Sequence, residues 1–234
     1  MPEPANGVGQ PKKKPLKMIK SMFQLMFTKR MLCMAFVFAY VGVELSFWSG
    51  VYSTCISNTD KIGDNPKAIV ALTAICEGLG LFTSGALIRI VSTKLKSIPK
   101  SMIVFAGMII HLIVYTFIFL NLPNQSPLDK TPDHGIFKEP SVALVLICGY
   151  FLGFGDSCWN TQIYSFLIAE YPDKSAQAFS IYKFFHAMVT CAAFFWSKYI
   201  QLQWHFIILC ATAIWGCFCF FVAESSEKTE FRKM

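Results

Sequence analysis

Three acids stand near the middle of long apolar stretches: Glu44 in YVGVELSFWSGVYSTC, Glu77 in AIVALTAICEGLGLFTSGALIRIV and Asp156 in VALVLICGYFLGFGDSCWNTQIYSFLI. A charge at that depth in hydrocarbon costs about 3 kcal/mol or more on insertion, so an intramembrane acid marks by default a substrate or ion path. Glu44 shares a helical stripe with Tyr40, Trp48 and Tyr52. An acid among aromatics is either a protonation switch or the fixed partner of a cation. Asp156 shares its stripe with Gly149, Gly153, Asn160 and Tyr164, and either serves a pathway or locks helices together through hydrogen bonds. Glu77, Gly80, Ser84 and Leu87 fall on one face of their stretch, with Gly78 and Gly85 alongside. Glycines this dense mark close helix contact or a flexible rocker.

Two basic residues join the candidates. Lys183 and His186 sit one turn apart in FSIYKFFHAMVT. Lys183 either snorkels to the headgroups or pairs with Asp156. His186, like His111 in IHLIVYTF, is a single histidine on an apolar helix, a pattern commoner for hydrogen-bonded packing than for proton relays.

The elements that carry these residues follow from composition. Hydrophobic residues make up 54% of the chain and charged residues 15%, with 23 Phe, where a soluble domain carries roughly a quarter charged residues. Apolar windows at 31–56, 67–91, 101–122, 141–168, 177–200 and 203–223 each reach the roughly 20 residues that span a bilayer as helix and lack the alternation of barrel strands. The expected architecture is all-α with six transmembrane helices, a basic and amphipathic lead-in over 1–30 and a short tail over 224–234. The lead-in places Leu16, Ile19, Met22, Phe23, Met26 and Phe27 at helical spacing between lysines, which suits an anionic leaflet. Short connections predict that successive helices are antiparallel neighbours.

With both termini placed in the cytoplasm, 15 of the 21 Lys and Arg fall inside, 5 outside and 1 within a span. The bias sets that orientation. The net charge of +7 is therefore a topology signal and nucleic acid is not an expected partner. All 9 cysteines lie in apolar windows without CxxC or histidine spacing, so neither a disulfide scaffold nor a metal site is expected. HExxH, GxSxG and phosphate-cradling loops are missing, so neither an enzyme nor a cofactor is expected. Asn124-Gln125-Ser126 is a formal glycosylation sequon on the outer side. It lies close to the span end, with Pro127 following, which disfavours occupancy.

YVGVELSFWSGVYSTCI (40–56) and GYFLGFGDSCWNTQIYS (149–165), extended by FSIYKFFHAMVTCAAFFWS and LQWHF, resemble the uncoordinated-93-like family of the major facilitator superfamily. The resemblance runs from about Lys17 to Phe221. It implies one half of a major facilitator fold: relatives carry twelve spans, and this chain corresponds to spans seven to twelve. An alternative start, a split gene or an incomplete gene model would each account for the half length. The resemblance carries over Glu44, Asp156, Asn160, Gln162 and Lys183. Glu77 does not match, because relatives place their acid one turn later, where Leu81 stands. Implied functions are transporter-like activity or, alternatively, an accessory role toward an ion channel or receptor. Exposing Glu44 and Asp156 to lipid is costly, so another copy or a six-span partner half is expected to cover them.

Overall fold

The structure, a computed structural model, describes residues 15–94 and 98–231. Lys12, Lys13, Lys14, Lys96, Arg232 and Lys233 of the charge count lie outside them. Helix α1 covers Pro15–Met26. Helix α2, Lys29–Ser46, continues through a π-helical segment, Phe47–Tyr52, into α3, Ser53–Asn58. There follow α4 (Pro66–Lys94), α5 (Lys100–Asn121), α6 (Val142–Glu170), α7 (Ser175–Ser197) and α8 (Leu202–Phe231). Six helical stretches are long and apolar enough to cross a membrane: Lys29–Asn58, Pro66–Lys94, Lys100–Asn121, Val142–Glu170, Pro172–Ser197 and Leu202–Ser225. Large apolar side chains such as Phe82, Phe184 and Phe195 face outward from them, as expected where lipid replaces water as solvent. The final helix runs unbroken past Phe221 to Phe231, into the stretch read from sequence as a tail, because no Gly or Pro interrupts it.

The bundle is organised around α2 and α6. Helix α2 packs against α7 and α8, while α6 packs against α4 and α5, and α5 closes the ring against α8. Sequence neighbours are thus not always the principal partners. Helix α4 lies mainly on α6 rather than on α5, although only a short connection separates α4 from α5. The reason is a seam of small residues. A Cβ at Gly80 would strike the Tyr150 carbonyl, one at Gly149 the Thr73 side chain, and one at Gly153 the Glu77 backbone. Backbones in such contact gain van der Waals packing, which drives helix association in lipid. The same seam turns Thr73, Glu77, Gly80 and Ser84 inward.

The connections 57–66 and 123–140 clasp one end of the bundle. Thr131 N donates to Asn58 O at 2.9 Å and Asp60 N to Thr131 O at 3.2 Å. Gly63, at φ 143°, makes the turn into α4 that a side chain would resist. At the opposite end Arg30 pairs with Glu170, and Glu224 accepts from Lys100 N and Ser101 N at 2.8 and 3.0 Å, satisfying the start of α5. Helix α1 rests against α7 there. Leu25 is buried in the core beside Met22 and Met26, while Ile19, Phe23 and Phe27 stay exposed.

Candidate intramembrane site

Three helices bring the acids together. Glu44 comes from α2, Glu77 from the glycine seam of α4, and Asp156 from α6 one turn beyond Gly153. Glu44 and Asp156 lie close enough to act on each other through space, and Glu77 acts on both. Two acids held together in hydrocarbon are relieved when one of them carries a proton. Among the described residues, no N–H or O–H donates to either Glu44 oxygen or to Glu77 Oε1. Glu44 is 1% exposed and Glu77 6%. The six helices therefore enclose Glu44 unaided, so its burial does not call for a covering partner. Asp156 is only partly buried, and the case for cover from outside rests on it alone.

Asp156 is better supplied. Asn160 Nδ2 donates to its Oδ1 at 2.7 Å, and Asn160 Oδ1 accepts from Tyr182 OH on α7 at 2.8 Å. The stripe read from sequence thus divides by role: Gly149 and Gly153 admit α4, whereas Asp156, Asn160 and Tyr164 address α7. Lys183 is exposed, with its Nζ 4.8 Å from the centre of the Tyr182 ring. Its charge reaches Asp156 through space, but no Lys183–Asp156 ion pair is formed, and of the two alternatives the exposed position fits snorkelling. His186, half-buried, lines a groove of about 400 Å³ with Leu45, Thr190 and Phe194. Gln162 is buried, and its amide donates to the adjacent Thr161 Oγ1 at 3.2 Å, apart from the acids.

His111 is buried and hydrogen-bonded, as a packing histidine was expected to be, and it also reaches the edge of Glu44. It is fully buried, and its Nε2 lies 4.0 Å from Glu44 Oε1 and 3.1 Å from the Leu152 carbonyl. A carbonyl accepts only, so the network assigns the proton to Nε2. Nδ1 then accepts from Tyr40 OH, which lies 3.1 Å from Tyr115 OH. The result is a polar thread from Tyr115 through Tyr40 and His111 to the edge of Glu44. Tyr115 follows His111 by four residues and so shares its face, the one signal in the sequence that pointed to this thread. The π-helical segment that widens the helix just past Glu44 had no such signal. Segments of this kind gather at functional sites.

Asn124 is tied into the fold. Its Oδ1 accepts from Gln203 N at 2.8 Å, its carbonyl accepts from Leu202 N at 3.0 Å, and its Nδ2 donates to Gln201 Oε1 at 3.3 Å. Ser126 is buried and its hydroxyl donates to Pro123 O at 2.6 Å. Among the described residues, no group of three or more His, Cys, Asp or Glu is arranged to hold a metal ion.

Comparison with known proteins places this arrangement. No solved structure matches the chain. The chain is 36% identical over 213 residues to UNC93-like protein MFSD11 of Xenopus laevis, covering 90% of this chain and 48% of the relative. It is 35% identical over 213 residues to the protein of the same name from Xenopus tropicalis, again covering 90% and 48%. The chain thus spans about half the length of the curated relatives it matches. A family described as ion channel regulatory protein UNC-93 matches residues 2–221, which takes in every helix that carries the acids, and the chain belongs to that family.

Proposed function

We propose that this chain forms one half of a transporter-like membrane protein in which Glu44 and Asp156 hold a proton between them, coupling its movement to that of a solute. It is not an enzyme in this reading. The single observation that carries it is the Glu44 carboxyl, enclosed in the bundle with no donor among the described residues and within reach of the Asp156 charge. A carboxyl whose only purpose was to hold helices together would be expected to find donors, because an unsatisfied polar group in hydrocarbon costs several kcal/mol. Asn160 and Tyr182 orient Asp156, Lys183 tempers its charge from the exposed side, and Glu77 adds a third acid. Both termini face the cytoplasm, following the positive-inside bias. A second six-span unit, either another copy or a separate half, supplies the facing wall, since two-domain carriers bind at the interface between halves.

The test is uptake of amino acids, nucleosides and small organic ions into pH-jumped proteoliposomes holding this chain with its captured partner half. Solute-dependent collapse of the pH gradient, abolished in Asp156→Asn, supports the reading. The absence of such flux for every solute class sinks it.

The family description as ion channel regulatory supports a second reading, in which the same helix faces bind a channel or receptor. Helices α4 and α7 are the least enclosed spans and would supply that surface. Stable co-purification with a channel, with no flux, distinguishes this reading from the first.

A further inference from the structure

Because α4 packs on α6 instead of α5, α4 and α5 part toward the end that carries residues 92–100. The opening is an apolar groove of about 500 Å³, lined by Leu87 and Val91 of α4, Met102 and Ala106 of α5, and floored by Phe154 and Cys158 of α6. Its size falls in the range of about 300–1,000 Å³ typical of small-molecule sites. It runs from Pro99 to Ile110. At 1.5 Å per helical residue that is roughly 16 Å, or half of the roughly 30 Å hydrocarbon core. Ile110 stands midway along α5 and also bounds a second apolar groove of about 380 Å³ in the other half of the bundle. Each groove therefore corresponds to one leaflet.

The two grooves differ in what surrounds their mouths. Lys94 ends α4 and Lys100 begins α5, and Arg89 precedes Lys94 by five residues on α4. Lys94 and Arg89 are exposed. Glu224, an acid at this end of the bundle, is committed to the backbone N–H groups at the start of α5. Basic clusters beside a cleft between membrane helices are suited to anionic headgroups.

We infer that this groove binds an anionic phospholipid of the leaflet on its own side, one acyl chain lying along Ala106 and Cys158 and the headgroup phosphate held by Lys94 and Lys100. The inference stands whether or not the chain transports. It predicts selection by charge at the mouth and by shape along the groove.

The full chain, extracted with mild detergent from vesicles of mixed phosphatidylglycerol and phosphatidylcholine, is examined by native mass spectrometry for retained lipid. The parent is expected to keep phosphatidylglycerol in preference to phosphatidylcholine. Lys94→Glu and Lys100→Glu should each lower phosphatidylglycerol retention by about five-fold and leave phosphatidylcholine unchanged. Ala106→Trp, which fills the groove, should remove both lipids there, whereas Ile113→Trp in the other groove should not. Equal retention of the two lipids by parent and lysine variants means ordinary boundary lipid and overturns the inference. So does undiminished phosphatidylglycerol in Ala106→Trp. The lysine variants alter groups at the helix ends outside the packed core, so they decide the matter even if Ala106→Trp does not fold.

Discussion

His111 Nε2 lies 4.0 Å from Glu44 Oε1, with both side chains sealed inside the bundle. The imidazole turns its N–H toward the Leu152 carbonyl and presents its other nitrogen to Tyr40. Among the described residues no donor satisfies Glu44; Asp156 is the acid that acts on it most strongly through space, while His111 stands at its edge. Replacing Glu44 by Gln keeps the shape, supplies an amide donor to Asp156 and removes the shared proton. Glu44→Gln is therefore expected to fold with a Tm equal to or above that of the parent, because it takes an ionisable group out of hydrocarbon, while abolishing pH-dependent flux. A Tm drop of many degrees would show instead that the carboxyl is a structural tie.

The thread from His111 to Tyr115 allows a graded test. Tyr40→Phe deletes the nearer hydroxyl donor of His111 Nδ1 and leaves it only the distant Tyr115 OH, 3.5 Å away, at a cost of up to about 1–3 kcal/mol for the weakened buried bond. Tyr115→Phe removes that farther hydroxyl, and His111 keeps its bond to Tyr40. Denaturation in detergent should rank the loss as Tyr40→Phe greater than Tyr115→Phe. The reverse order would mean that the hydroxyls are satisfied independently of the imidazole.

Much of this architecture was legible from sequence. Six apolar windows of spanning length announce six helices, since only closed hydrogen bonding survives in lipid. Isolated acids within them announce a site. Periodicity gave the face on which Glu44, Glu77 and Asp156 lie, but not which helix each face meets. Short connections argued for α4 beside α5, yet Gly80, Gly149 and Gly153 let α4 and α6 approach to backbone contact, and that packing outweighs proximity along the chain. His111 is the hydrogen-bonded packing residue its sequence context suggested, but which groups it meets, Glu44 and Tyr40, could not be read because they come from a helix more than sixty residues away in sequence. For Lys183 the sequence left snorkelling and pairing with Asp156 both open, and the side chain stays at the exposed edge, where its ammonium is better accommodated.

The glycine seam makes a prediction with its own internal control. A Cβ at Gly153 would collide with the Glu77 backbone, whereas one at Gly78 meets nothing within 4 Å. Gly153→Ala should push α4 off α6 and destabilise by about 1–3 kcal/mol. Gly78→Ala should be neutral or stabilising by up to about 1 kcal/mol through helix propensity. Thermal unfolding of the two proteins, one methyl apart in composition from the parent, checks both. Equal effects would remove the seam as the reason that Glu77 faces inward.

The sequon offers the last test. A glycan on Asn124 would have to sit where Nδ2 bonds Gln201, beside a Ser126 hydroxyl that is buried and donating to Pro123. Folding and glycosylation at this position exclude each other, so endoglycosidase treatment of the folded protein is expected to leave its mobility unchanged. Asn124→Gln should nonetheless matter, because Asn124 Oδ1 supplies the acceptor for Gln203 N at the start of α8. Loss of such a cap costs about 0.5–2 kcal/mol. A mobility shift on deglycosylation together with a parent-like Tm for Asn124→Gln would refute the assignment of Asn124 as the residue that closes the 123–140 connection onto α8.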